Sequence, residues 1–294
     1  MKSIVRSQTR SSSMPSRSYP LTIRPEFDLY LHTLNYENEP TSSSSSSSLL
    51  SMAKKLHNLE GIYDCVDNLL LLPHTQQFFT RGRREKWFDE ILDGYLGLVD
   101  TCATAKDFIS QSKDYNSNLI SVLRRKRVSQ DLSEFISSRK TIKKQIQKSL
   151  RNIGSYKKNS FVLSGDKDHE TIAIIRMFKE IERTTFELFE ALLSSVSGET
   201  SSSRPSKWSL VSKLMWSRKV SCHEHKSSML EFGDLDASLS KFVSKCETGS
   251  KIEELQQQLR EMDLIIRVIE ERLECLFKRL IKSRVSLLNM QSQL

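Results

Sequence analysis

The run Cys222-His223-Glu224-His225 is the one place in this sequence where metal-ligand side chains cluster. Zinc sites need ligands in spaced pairs, so that a loop can fold round a tetrahedral ion. Here the histidines are separated by a single residue and no second pair follows, so the stretch reads as a loop with solvent-facing histidines. His32, His57, His74 and His169 are isolated, and no Ser-His-Asp or Cys-His arrangement can be assembled from spacing. The phosphate-cradling GxxxxGK[ST], the dinucleotide GxGxxG and the HExxH pair are all missing. Cys65, Cys102, Cys222, Cys246 and Cys275 are scattered, odd in number and without a CxxC, which reads as free thiols in a reducing compartment. The expectation is a protein that is not an enzyme, with no catalytic residue, no cofactor and no metal.

What the chain does carry is helical periodicity. From Lys251 to Leu288 there is no Gly or Pro. Ile252, Leu255, Leu259, Met262, Ile266, Ile269, Leu273, Leu276 and Leu280 recur at alternating steps of three and four, the a/d pattern of a heptad seam. At about 1.5 Å per residue this predicts a rod roughly 55 Å long. Leu264, Ile265, Phe277 and Ile281 widen the stripe beyond a two-stranded seam, which favours packing against the rest of the chain over a bare coiled-coil dimer. The oligomeric state stays open.

Four further amphipathic segments precede it. Met52, Leu56, Leu59, Tyr63, Val66 and Leu70 mark a first helix that Pro73 stops. A second spans about 84–123, burying Phe88, Ile91, Leu92, Tyr95, Leu98, Val99, Cys102 and Ile109. Gly94 and Gly97 inside it mark either a close helix–helix approach or a kink. A third spans about 129–153, with Ser129 or Asp131 as N-cap and Leu132, Phe135, Ile136, Ile142, Ile146, Leu150 and Ile153 as its apolar stripe. A fourth spans about 168–196, and shorter pieces fall near 210–216 and 229–246. No strand-period segment appears. The predicted fold is all-α: a bundle of long amphipathic helices with a long coiled-coil-like C-terminal helix.

Composition agrees. Of 294 residues 37% are hydrophobic, and nine Gly with six Pro are too few turn-formers for a sheet-rich fold. No purely apolar run exceeds four residues, as at Leu69–Leu72, far short of the ~20 residues that span a bilayer. Residues 1–48 end in the tract Thr41–Ser48 and read as a disordered Ser/Arg-rich tail. Residues 49–294 read as a single helical domain with a Ser-rich linker at 197–206. The tail has no acidic residue before Glu26 and no apolar h-region. The expected location is intracellular, in cytoplasm or nucleus, with the chloroplast as the alternative through a transit-peptide-like N-terminus.

Charge is unevenly spread. Between Ser121 and Ser160 twelve Lys/Arg face only Asp131 and Glu134, so this segment carries +10 where the whole chain carries +9. On the third helix Lys140, Lys143, Lys144 and Lys148 lie mostly opposite the apolar stripe, with Arg124, Arg125 and Arg127 just upstream. Three readings compete: a solvated face, a nuclear-import or nucleic-acid patch, and a contact with an anionic membrane surface. Ser129 follows the basic tetrad, where an added phosphate would gain from the helix dipole and the nearby arginines.

Several blocks together resemble a plant-specific family catalogued as domain of unknown function 241 and grouped with BYPASS-like proteins. They are MPSRSYP (Met14–Pro20), LLLLPHTQQ (Leu69–Gln77), EKWFDEILDGYLGLVDTCATAKD (Glu85–Asp107), SRKTIKKQIQKSLRN (Ser138–Asn152) and LECLFKRLIKSRVSLLN (Leu273–Asn289). The resemblance implies a land-plant protein, helical throughout, associated with root and shoot development, and it brings no catalytic residue or ligand. Residues 197–249 match nothing in that pattern. The leading expectation is a non-enzymatic helical protein that works on a protein partner. The alternative is a basic nuclear or nucleic-acid-associated regulator using Arg124–Arg127.

Overall fold

The computed structural model describes residues 48–125, 128–158, 169–198, 231–244 and 249–292. Among them are seven helices and no strand: α1 (Ser48–Leu71), α2 (Pro73–Gly82), α3 (Lys86–Arg124), α4 (Val128–Lys158), α5 (His169–Ser197), α6 (Phe232–Ser244) and α7 (Gly249–Ser292). The expected tail at 1–47, the Ser-rich linker beyond Gly198, the piece at 210–216 and the Cys222–His225 run lie outside the described residues.

Proline both ends and begins a helix. Leu72 is extended (φ −73°, ψ 132°) ahead of Pro73, as the pyrrolidine ring requires of its predecessor. Pro73 then occupies the first turn of α2, where its missing N–H costs nothing. Residues 73–82 carry no helical stripe in the sequence. At ten residues α2 is too short to show a periodic stripe, and only Thr75, Phe79 and Gly82 of it are buried. α4 begins at Val128, so Ser129 and Asp131 lie within its first turn and do not precede it as caps. The terminal helix is longer at both ends than the expected 251–288.

Helix α7 lies between α1 and α3. Against α3 it runs antiparallel: the Cys102 thiol donates to the Leu273 carbonyl at 3.6 Å and Asn116 Nδ2 to that of Leu259 at 2.8 Å. Lys113 pairs with Glu270 at 2.6 Å, and Lys106 with Glu274. Against α1 it runs parallel, with Arg272 on Glu60 at 3.3 Å, Arg279 on Asp64 at 2.8 Å and Lys282 on Asp67 at 3.0 Å. Leu255, Leu259, Met262, Ile266, Ile269, Leu273, Leu276 and Leu280 are all buried, none more than 3% exposed. At about 1.5–3 kcal/mol per side chain this is well over 10 kcal/mol of gross burial. The heptad seam is therefore an internal surface. Its expected widening holds for Ile265, buried, and Phe277, half-buried. It fails for Leu264 and Ile281, which are 65% and 40% exposed, because the helices packed on the rod, α1, α2 and α3, leave its outer face to solvent.

Helices α5 and α4 cover the other side of α3. Tyr63 and Thr185 join α1 to α5 through their hydroxyls at 2.9 Å, and Tyr115 packs on Phe135 of α4 with ring centroids 5.1 Å apart. Gly94 and Gly97 permit this closeness. A Cβ on Gly94 would lie 2.3 Å from Glu182 Oε2, and one on Gly97 2.9 Å from Tyr156 Cε1. The two glycines thus serve close approach. Helix α5 ends at Gly198, whose φ of +76° suits a residue without a Cβ.

Candidate interaction surface

Lys140, Lys144 and Lys148 succeed one another at four-residue steps along α4, and Arg151 follows three residues on. That spacing stacks them on one helix face. All four are exposed, whereas Leu132, Ile142, Ile146 and Ile153 on the opposite face are buried. No carboxylate among the described residues pairs with any of the four.

Lys143 and Arg139 behave differently. Arg139 is buried at 3% exposure. Its Nε donates to Asp236 Oδ1 at 3.1 Å, its Nη2 donates to the Val196 carbonyl, and its guanidinium stacks over the Phe232 ring at 4.8 Å. Lys143 Nζ reaches Asp236 Oδ2 at 2.6 Å. Lys143 was expected in the solvent-facing set, but it stands at the α6 side of α4 and is held by that helix. Asp236, which organises this junction, carried no signal in the sequence. It lies 97 positions from Arg139, and a lone aspartate on a short helix looks like any solvated one.

Arg124 and Arg125 are exposed where α3 ends, Arg125 in extended conformation (φ −91°, ψ 136°). Arg127 lies outside the described residues. Ser129 is placed by backbone alone, in the first turn of α4. The predicted residues therefore divide into an outward basic row (Lys140, Lys144, Lys148), two arginines at the α3–α4 corner, one lysine spent on α6, and an internal seam.

Burial disfavours the charged form of several titratable groups inside the bundle. Burial pushes the Cys102 thiol up to about 12 and the Tyr115 phenol likewise to about 12. It raises Tyr63 and Tyr95 well above the ordinary phenol range. Glu182 is raised by burial against the opposing pull of Lys179. Each of these side chains packs against neighbouring helices. Among the described residues no group of three His, Cys, Asp or Glu side chains is placed to hold a metal. No helix among them is long and apolar enough to cross a membrane.

The family model described as Protein BPS1 matches residues 55–290. The chain belongs to the BPS1 family. This is the BYPASS-like family that the sequence blocks resemble. No curated protein and no solved structure matches the chain. The BPS1 match begins inside α1 and ends inside α7, so it takes in the helical bundle, basic α4 row included.

Proposed function

We propose that this BYPASS-like protein acts by binding, without catalytic turnover, and that the α4 row docks an acidic protein partner. One observation supports the reading above others. The lysines and arginines that tie α7 to its neighbours all find carboxylates, whereas Lys140, Lys144 and Lys148 find none among the described residues. Unneutralised like charges in a row repel one another, and an acidic surface relieves that cost while steering association. Phosphorylation of Ser129 would place negative charge at the N-terminal turn of α4, favourable for the helix and antagonistic to an acidic partner nearby. The setting we propose is the cytoplasm or nucleus of cells in growing roots and shoots.

A nucleic-acid reading draws on the exposure of Arg124 and Arg125. Phosphate-driven binding weakens by orders of magnitude over a fourfold rise in salt, so titrations with RNA and DNA at two salt concentrations separate the two.

The decisive test is complementation of a loss-of-function plant with Lys140→Glu/Lys144→Glu/Lys148→Glu. Lys143 is spared because it serves the fold. The expected outcome is a folded protein that loses its partner in affinity purification and fails to restore root and shoot growth. Full rescue by the folded variant would end the proposal.

A further inference from the structure

A second basic surface lies at the corner between α2 and α3, away from the α4 row. An open depression of about 670 Å³ there has Arg81, Arg83 and Arg84 in its lining, together with Pro73, Thr80 and the glutamines of α2. None of the lining residues is acidic. Arg81 and Arg84 are exposed and Arg83 half-buried, and no carboxylate among the described residues pairs with any of them.

The corner that carries them is closely packed. Gly82 gives way to the Trp87 indole, for a Cβ there would sit 2.0 Å from Trp87 Cζ2. The indole packs on Phe78 at 5.2 Å and Phe79 at 5.9 Å between ring centroids, and Phe79 packs on Phe88 and Phe178 in turn. Gln76 is held by its Nε2, which donates to the Leu70 and Leu71 carbonyls at 3.3 and 3.4 Å. Three guanidinium groups are thus presented from a backbone fixed by aromatic packing. The C-terminal end of α2 contributes a partial negative charge and the N-terminal end of α3 a partial positive one. These roughly offset, and the arginines set the sign of the potential. Guanidinium forks match phosphate oxygens two at a time, and the volume fits a small ligand larger than a single phosphate.

Leu71 tells which source of phosphate fits. It is 63% exposed, two residues before the lining Pro73, and its carbonyl accepts from Nε2 of the lining Gln76. An arginine cluster that no described carboxylate pairs with, close in the chain to an exposed aliphatic side chain, suits a charged headgroup set in hydrocarbon. We propose that this corner binds the multiply phosphorylated headgroup of an anionic lipid, with Leu71 entering the bilayer surface.

The test uses the full chain and two probes: soluble inositol trisphosphate, and phosphatidylcholine vesicles with or without phosphatidylinositol bisphosphate. The variant Arg81→Gln/Arg83→Gln/Arg84→Gln is expected to weaken both interactions by at least about tenfold, at an unchanged helical circular dichroism spectrum. Should the triple variant misfold, Arg84→Glu at an exposed position reads the same site. Leu71→Ser is expected to weaken vesicle binding about tenfold and to leave the soluble probe unaffected. Lys140→Gln/Lys144→Gln/Lys148→Gln is expected to leave inositol trisphosphate binding intact. Arginine variants that bind both probes normally would overturn the site. So would an equal loss in the α4 variant, which would reduce the effect to general charge. Vesicle binding indifferent to Leu71 would overturn the lipid assignment and leave a soluble phosphate ester as the ligand.

Discussion

Arg139 on α4 and Asp236 on α6 meet at 3.1 Å in a largely dry junction, and Asp236 is shared with Lys143 on its other oxygen. Two helices far apart in the chain are fastened there. The consequences of breaking the pair are unequal. Asp236→Ala strands a buried guanidinium and is expected to cost about 3–5 kcal/mol. Arg139→Ala leaves the carboxylate with Lys143 and is expected to cost less. Urea denaturation of the two variants checks the order, and hydrogen exchange should show α6 losing protection first.

The seam makes a sharper prediction. Leu273 is fully buried between α1 and α3, so Leu273→Asp places a charge in the bundle core. Its expected cost exceeds about 4 kcal/mol, with loss of helical circular dichroism. A folded, monomeric Leu273→Asp protein would instead make the seam an oligomer interface, contrary to the packing described.

Two glycine substitutions should have opposite signs. Gly82→Ala drives a methyl group into the Trp87 ring and is expected to destabilise by about 1–3 kcal/mol. Gly154→Ala on α4 meets nothing within 4 Å and is expected to stabilise by up to about 1 kcal/mol through helix propensity. Thermal melts of the pair provide the comparison.

Alkaline pH should weaken the fold. Below the ordinary thiol range Cys102 is protonated in both folded and unfolded chains, so nothing is lost. Above that range the unfolded chain releases the proton while the folded one retains it up to about 12, and stability falls. The buried phenols of Tyr63 and Tyr95 act in the same direction. Denaturation midpoints should therefore decline as pH rises past the thiol range, less steeply in Cys102→Ala. In the folded protein an alkylating reagent should reach half-buried Cys275 well before Cys102. Rapid labelling of Cys102 would contradict the picture.

Helix class and the identity of the buried faces were written in the sequence, because a solvent-averse stripe must recur every three to four residues whatever it packs against. Leu255 through Leu280 were legible for that reason, and so were Phe88 through Ile109 on α3. The basic row on α4 was legible too, as cations opposite an apolar stripe. Tertiary structure alone decided what each face meets. It turned the seam inward onto α1 and α3, withdrew Lys143 and Arg139 to Asp236, and set the closely spaced Arg81, Arg83 and Arg84 on an aromatic-clamped corner. Periodicity fixes which side of a helix avoids water. Contacts between residues about a hundred or more positions apart, such as Arg139 with Asp236 or Cys102 with Leu273, depend on how helices are placed in space, and spacing along one helix carries no record of that.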